Sequence, residues 1–193
     1  MKKISAILLA AGESVRMGTN KLLLAYQGKT LLEHLFTLVQ TVDFHECILV
    51  ISRANAQHIE IPAEMHVIYN EHLALGQSYS VRLGVEAATG EGYLFFTADQ
   101  PLLTVELVQQ LMAQAATERI VFPIKEDGTP SSPTLFGMYF REELLALEGK
   151  GGGSSVRNRH PEACVPIVVD CPEQLKDIDT PQGYLQLLQL EHR

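Results

Sequence analysis

Residues 9–21 read Leu-Ala-Ala-Gly-Glu-Ser-Val-Arg-Met-Gly-Thr-Asn-Lys, so small residues are followed at short range by an arginine and a lysine. Ala10, Ala11 and Gly12 let a backbone approach a ligand closely. Successive N–H groups in such a turn can form a concavity for an anion. Arg16 can fork onto phosphate oxygens, and Lys21 can add a point charge. Together they suit the triphosphate tail of a nucleotide. The segment is not a P-loop, because no G-x-x-x-x-G-K-[ST] fits it, and it is not G-x-G-x-x-G either. The plainer alternative is a tight strand-to-helix turn with solvated Arg16 and Lys21.

Three further groups could complete such a site. Thr97-Ala98-Asp99-Gln100-Pro101 puts an acid directly behind an apolar run and fixes it with a proline. An acid there is placed to ligate Mg²⁺, which takes one or two carboxylates and shares the rest of its shell with substrate phosphates. It could equally cap the next turn. Asp177-Ile178-Asp179-Thr180-Pro181 sets two acids at alternate positions, and alternate side chains of an extended segment share a side. Asp177 or Asp179 could join Asp99 at a metal, or both could simply favour the N-terminus of the helix that Thr180 caps. Asn70, Gly76, Gln77, Ser78, Ser80 and Gly84 put small and polar residues at a helix start. They could contact a base or sugar, or make an ordinary capped helix.

Other chemistries are disfavoured. No pair of histidines has metal-ligand spacing, which argues against zinc. Ser14, Ser131 and Ser132 lack a G-x-S-x-G setting. Cys47, Cys164 and Cys171 cannot all pair and none stands in C-x-x-C, so the expectation is a reducing compartment, the cytoplasm. A net charge of −8 disfavours a nucleic-acid partner, which needs a basic face. An acidic chain that grips a polyanion must use placed cations, backbone N–H groups and a metal ion. No apolar run reaches the roughly 18 residues of a membrane span. Met1-Lys2-Lys3 is basic, but the short apolar run behind it leads into Gly12-Glu13-Ser14 without a cleavage-like site and reads as a first core strand.

The elements that must carry these residues alternate. At 193 residues, 46% of them hydrophobic and 20% charged, the chain can bury a sizeable core and reads as a single domain over 1–193. Strands are expected at 4–9, 47–51, 67–69, 93–97, 120–124 and 165–169. Thr30 to Glu33 has the spacing of a capping box, with helical spacing behind it. Further helices are expected at 76–88, at 105–116, and after Thr180-Pro181. Residues 126–133 and 149–155 look like loops. Strands separated by helices imply a three-layer α/β fold, a mostly parallel sheet with helices on both faces. Ligands then bind at the carboxyl ends of strands, where residues 9–21 and Asp99 stand.

In their order along the chain, these groups resemble the molybdenum cofactor cytidylyltransferase family, within the MobA-like NTP transferase superfamily. Nearly the whole chain is covered. Residues 9–21 match the family's L-A-A-G-x-S-x-R-M-G-x-x-K. Asn70, Gly76, Ser78, Ser80 and Gly84 match a spaced N…G-x-S-x-S…G stretch, Asp99-Gln100-Pro101 a D-Q-P, and residues 177–181 a D-I-D-T-P. The resemblance implies a Rossmann-like nucleotidyltransferase fold. It implies nucleotide binding by Leu9, Ala10, Ala11, Gly12, Arg16, Lys21, Asn70, Gly76, Ser78 and Ser80. It implies catalysis by Arg16, Lys21 and Asp99, with Mg²⁺ held by Asp99 and by Asp177 or Asp179. Guanylyl-transferring relatives typically read L-A-G-G and D-M-P, so Ala10-Ala11 and Gln100 imply CTP. Two stretches depart from the family. Ser132 stands where G-x-x-G-H-P has its histidine, and Lys150 replaces the acid of G-D-x-G-A-R. Both regions are expected to face the acceptor.

The expected reaction is transfer of CMP from CTP to the terminal phosphate of a molybdopterin cofactor, with a molybdoenzyme as a conceivable recipient of the product. Two rivals remain open: a related transferase with another phosphorylated acceptor, and a cofactor-binding insertion chaperone without catalysis.

Overall fold

The computed structural model describes residues 3–12, 20–149 and 151–192. Arg16 and Lys150, both singled out from the sequence, lie outside them. Nine strands and seven α-helices follow in chain order among the described residues. They are β1 (Ile4–Ala10), β2 (Ala25–Tyr26), β3 (Lys29–Thr30), α1 (Leu31–Thr41), β4 (Glu46–Ile51), α2 (Arg53–Ala56), β5 (His66–Tyr69) and α3 (Gln77–Ala87), then β6 (Gly92–Thr97), α4 (Val105–Ala113), β7 (Ile120–Ile124), β8 (Thr134–Gly137), α5 (Arg141–Leu145), α6 (Ser154–Arg159), β9 (Cys164–Val168) and α7 (Pro181–Leu188). No helix among them is long and apolar enough to cross a membrane.

Seven strands form one sheet in the order β5-β4-β1-β6-β8-β7-β9, while β2 and β3 make a small separate hairpin. Pairing is parallel from β5 through β6 and again between β7 and β9. The exception is β8, antiparallel to both its neighbours. The chain runs outward from β1 through β4 to β5, then crosses back to lay β6 on the other side of β1. That reversal is a topological switch point, where sheets of this kind open a crevice beyond the carboxyl ends of their strands.

The sheet buries both faces, as the continuous apolar run of β1 requires. Ala6, Leu8 and Ala10 point into a core shared with Leu32, Leu35, Phe36 and Val39 of α1 and Leu107, Val108 and Leu111 of α4. Ile7 points into the opposite core, with Val81 and Val85 of α3, Leu144 of α5 and Val156 of α6. The expected capping box is present: the Thr30 hydroxyl accepts from Glu33 N at 3.2 Å, and the Glu33 carboxylate accepts from Thr30 N at 2.6 Å. Thr180 caps α7, with Pro181 in its first turn.

The differences from the sequence reading are local. β8 was not expected; its four residues follow Pro133 and end on Gly137, behind a stretch with loop composition. α4 ends at Ala113 instead of 116, because Gln114 caps it. The stretch 149–155 is not all loop, since α6 begins at Ser154.

α3 lies directly on β1. A methyl group at Gly84 would overlap Ile7 Cγ2 and touch Val50 Cγ2. Gly84→Ala therefore overpacks a core in which Ile7 is fully buried, and should cost about 1–3 kcal/mol. Denaturant unfolding checks this: an unchanged midpoint would show that α3 can lift away without cost.

Candidate active site

β1 and β6 are hydrogen-bonded neighbours, with Leu9 opposite Thr97. Their carboxyl-end extensions, Ala11-Gly12 and Ala98-Asp99, therefore run side by side. α3 starts across the crevice from them. Its cap residue Gly76 has φ +81° and supplies no side-chain acceptor, so the positive end of the helix is not capped from that position. A cavity of about 340 Å³ lies between, lined by Leu9, Ala10, Ala11, Gly12, Lys21, Asn70, Gly76, Ser80 and Asp99, with Leu22, Leu73, Gln77, Thr97 and Ala98.

Lys21 is the electrostatic centre of this cavity. Its ammonium donates to Asp99 Oδ2 at 2.7 Å and to Asp179 Oδ1 at 2.8 Å. Burial on its own lowers the Lys21 pKa, but the charges and hydrogen bonds of Asp99 and Asp179 outweigh it and hold it above its ordinary value. The residues at 177–179 arrive by a backbone bond, Ile178 N donating to Asp99 O at 2.8 Å. Ile178 is fully buried in a small cluster with Tyr26, Leu31 and Leu187, which leaves the acids on either side of it facing Lys21 and Lys125. Asp177 pairs with Lys125 at 3.3 Å. Desolvation first, and the neighbouring Asp99 charge second, raise its carboxyl above the ordinary aspartate value despite Lys125.

Asp99 Oδ1 is buried and has no hydrogen-bond partner among the described residues. A bare carboxylate oxygen in a polar crevice fits a hard cation. Among the described residues, no three His, Cys, Asp or Glu side chains converge as a metal-holding group. A cation here would accordingly take one or two carboxylates and complete its shell from substrate oxygens, the Mg²⁺ pattern.

Two of the expected nucleotide ligands are otherwise engaged. Asn70 touches the cavity, but its Nδ2 donates to Ser80 Oγ at 2.8 Å and its Oδ1 accepts from His72 N at 2.8 Å. These bonds fix the amide in the wall and leave out its second N–H. Ser78 lines neither cavity; its buried hydroxyl donates to the Gly149 carbonyl. Gln100 is also buried away from the crevice, donating from Nε2 to Ser131 Oγ at 3.3 Å and Leu175 O at 3.4 Å.

A second cavity, of about 270 Å³, adjoins the first and shares Leu9, Gln77 and Thr97 with it. Lys125, Ser131, Ser132, Arg157 and Asp177 contribute its polar lining. Ser132, one of the two departures from the family pattern, thus stands beside the crevice and not in it. Lys125 and Arg157 were not singled out from sequence. Lys125 directly follows β7, so the carboxyl-end rule applied to that strand finds it; nothing at Arg157 gives a comparable signal. Asn20 and Asn55 were missed too. Asn20 accepts from Leu22 N at 3.2 Å and donates to Asn55 at 2.9 Å, and Asn55 donates to the Ala10 carbonyl at 2.9 Å. This relay ties Lys21 to the end of β1.

A doubly wound sheet whose switch-point crevice combines backbone amides, a lysine and carboxylates is a nucleotide-binding architecture. Residues 6–164 match the MobA-like NTP transferase domain, and the chain belongs to that family. Among curated proteins, it is 30% identical over 132 residues to a probable molybdenum cofactor guanylyltransferase of Bacillus cytotoxicus, a match spanning 65% of this chain and 64% of that one. It is 31% identical to nicotine blue oxidoreductase of Paenarthrobacter nicotinovorans, over 96% of each chain. Among solved structures, a nucleotidyl transferase from Methanothermobacter thermautotroptrophicus superposes with a TM-score of 0.85 over 99% of each chain at 21% identity, a likeness of fold.

The raised Asp177 pKa makes a pH prediction. Its stabilising contribution is present below the ordinary aspartate pKa, about 4, and is lost as pH rises through the higher folded value. Asp177→Asn should therefore raise Tm at pH 7 and leave it unchanged near pH 3.5. A lower Tm at pH 7 would mean that the Lys125 pair outweighs desolvation.

Proposed function

We propose that this chain transfers CMP from CTP to the phosphate of a molybdopterin-type acceptor and releases pyrophosphate. The observation that carries the reading is the convergence of Lys21, Asp99 and Asp179 beside the Ala11-Gly12 amides at the switch point. The triphosphate lies along these amides and the start of α3, with Lys21, and Arg16 from the neighbouring segment, balancing its charge. The acceptor enters through the second cavity. One of its phosphate oxygens attacks the α-phosphorus and forms the new P–O bond, while the bond to the bridging oxygen of the β-phosphate breaks and its electrons leave with pyrophosphate. Asp99, with Asp179 or Asp177, would hold Mg²⁺, which when bound neutralises phosphate oxygens. Positioning and electrostatics supply most of the rate.

The choice of CTP rests on the Ala10-Ala11 pair and the resemblance it carries. The relative named as a guanylyltransferase makes GTP the competing nucleotide. The relative named as an oxidoreductase favours one rival of another class, a redox reaction in the same crevice, which would release no pyrophosphate.

The test is pyrophosphate release with each of the four NTPs and Mg²⁺, with and without a molybdopterin source. Release is expected with CTP and only when acceptor is present. Lys21→Ala and Asp99→Ala should each lower kcat by on the order of 10²–10³ with unchanged far-ultraviolet circular dichroism. Near-normal turnover in both variants would refute the mechanism, and release with GTP alone would refute the base.

A further inference from the structure

The second cavity holds a charge that the reaction at Asp99 does not use. Arg157 stands on α6, a short helix made rigid from two sides. Val156 is fully buried beneath it. At its far end Glu143 of α5 accepts from Arg159 Nη2 at 2.8 Å and lies 2.6 Å from His160 Nε2. The Arg157 guanidinium lies 5.0 Å from the centroid of the Phe122 ring. No carboxylate among the described residues is within ion-pair distance of it, although desolvation lowers its pKa. Among the described residues, the only carboxylate in the cavity lining, Asp177, is already paired with Lys125. The cavity thus sets two cations against one carboxylate, in a protein of net charge −8. A half-buried, uncompensated guanidinium is costly, and a ligand anion removes that cost.

Phe122 lies in β7, two strands across from β6. Arg157 lines only the second cavity and Asp99 only the first, so the guanidinium is set apart from the carboxylate beside which the phosphate reacts. We infer that Arg157 binds a second anionic group, an oxyanion or a carboxylate, at the end of the acceptor remote from the reacting phosphate. The aromatic walls at Phe95 and Phe136 favour a flat body between the two charges. This rests on the function proposed above, and assigns the acceptor a class: a phosphorylated, flat molecule with a second negative group.

Arg157→Met keeps contact with Phe122, since a thioether packs well on an aromatic ring, and removes the charge. In the transferase assay the acceptor KM should rise on the order of 10- to 100-fold, the effect of losing one charge-assisted contact, while the KM for CTP stays unchanged. Arg157→Lys should recover part of the loss. An unchanged acceptor KM, or equal rises in both KM values, would overturn the inference. A second measurement does not depend on transferase activity: phenyl phosphate titrated into the protein while the Arg157 Nε–H resonance is followed by NMR. Saturable shifts that are absent from Arg157→Met support the subsite, and no shift at tens of millimolar probe sinks it. If wild type releases no pyrophosphate but the resonance shifts, the transfer reading fails and the anion subsite stands.

Discussion

The ammonium of Lys21, shared between Asp99 and Asp179, is the contact around which the crevice is organised. It joins three parts of the chain that are far apart in sequence: the segment after β1, the turn after β6 and the approach to α7. Parallel pairing of β1 with β6 sets Ala11-Gly12 beside Ala98-Asp99, the Asn20–Asn55 relay ties Lys21 to the end of β1, and the bond from Ile178 N to Asp99 O draws in the third part. The ammonium holds its proton more tightly than a free lysine, because two carboxylates outweigh the burial that opposes its charge. Charges arranged in advance at the site of reaction need no reorganisation when substrate arrives.

The neighbouring cavity has the opposite character. Around Asp99 the acids outnumber the described cations, which suits a metal and a polyphosphate entering together. Around Arg157 a cation stands without an acid. Leu9, Gln77 and Thr97 separate the two spaces and face both. A donor nucleotide and an acceptor held on either side of Thr97 would meet at the carboxyl end of β6, with Asp99 next to the junction. Ser132 lines only the second cavity, so under the proposed function a change there would alter what is received more than how the nucleotide is held.

Much of this was legible in the sequence. The periodic segments predicted the doubly wound sheet, because strands buried on both faces must be continuously apolar. The pairing of residues 9–12 with Asp99 followed from one rule about carboxyl ends. Asp177 and Asp179 stand out by their alternation; Ile178 is buried between them, and they meet different lysines, Lys125 and Lys21. β8 was not legible, since four residues that follow a proline and end on a glycine carry too little pattern to stand out from loop. Nor was Ser78's bond to the Gly149 carbonyl, or Asn70's to Ser80: a small polar residue at a helix start reads the same whether it meets ligand or protein. Arg157 was invisible because its meaning lies in what it lacks, a carboxylate neighbour, and that is a property of the packed chain.

The central claim is that the Lys21–Asp99 pair belongs to a triphosphate site. A crystal structure of the protein with CTP and Mg²⁺ tests it most directly. The triphosphate is expected beside Ala11-Gly12, with Lys21 Nζ on a phosphate oxygen and Asp99 on the cation. Nucleotide bound elsewhere, with Lys21 still bridging Asp99 and Asp179, would contradict it.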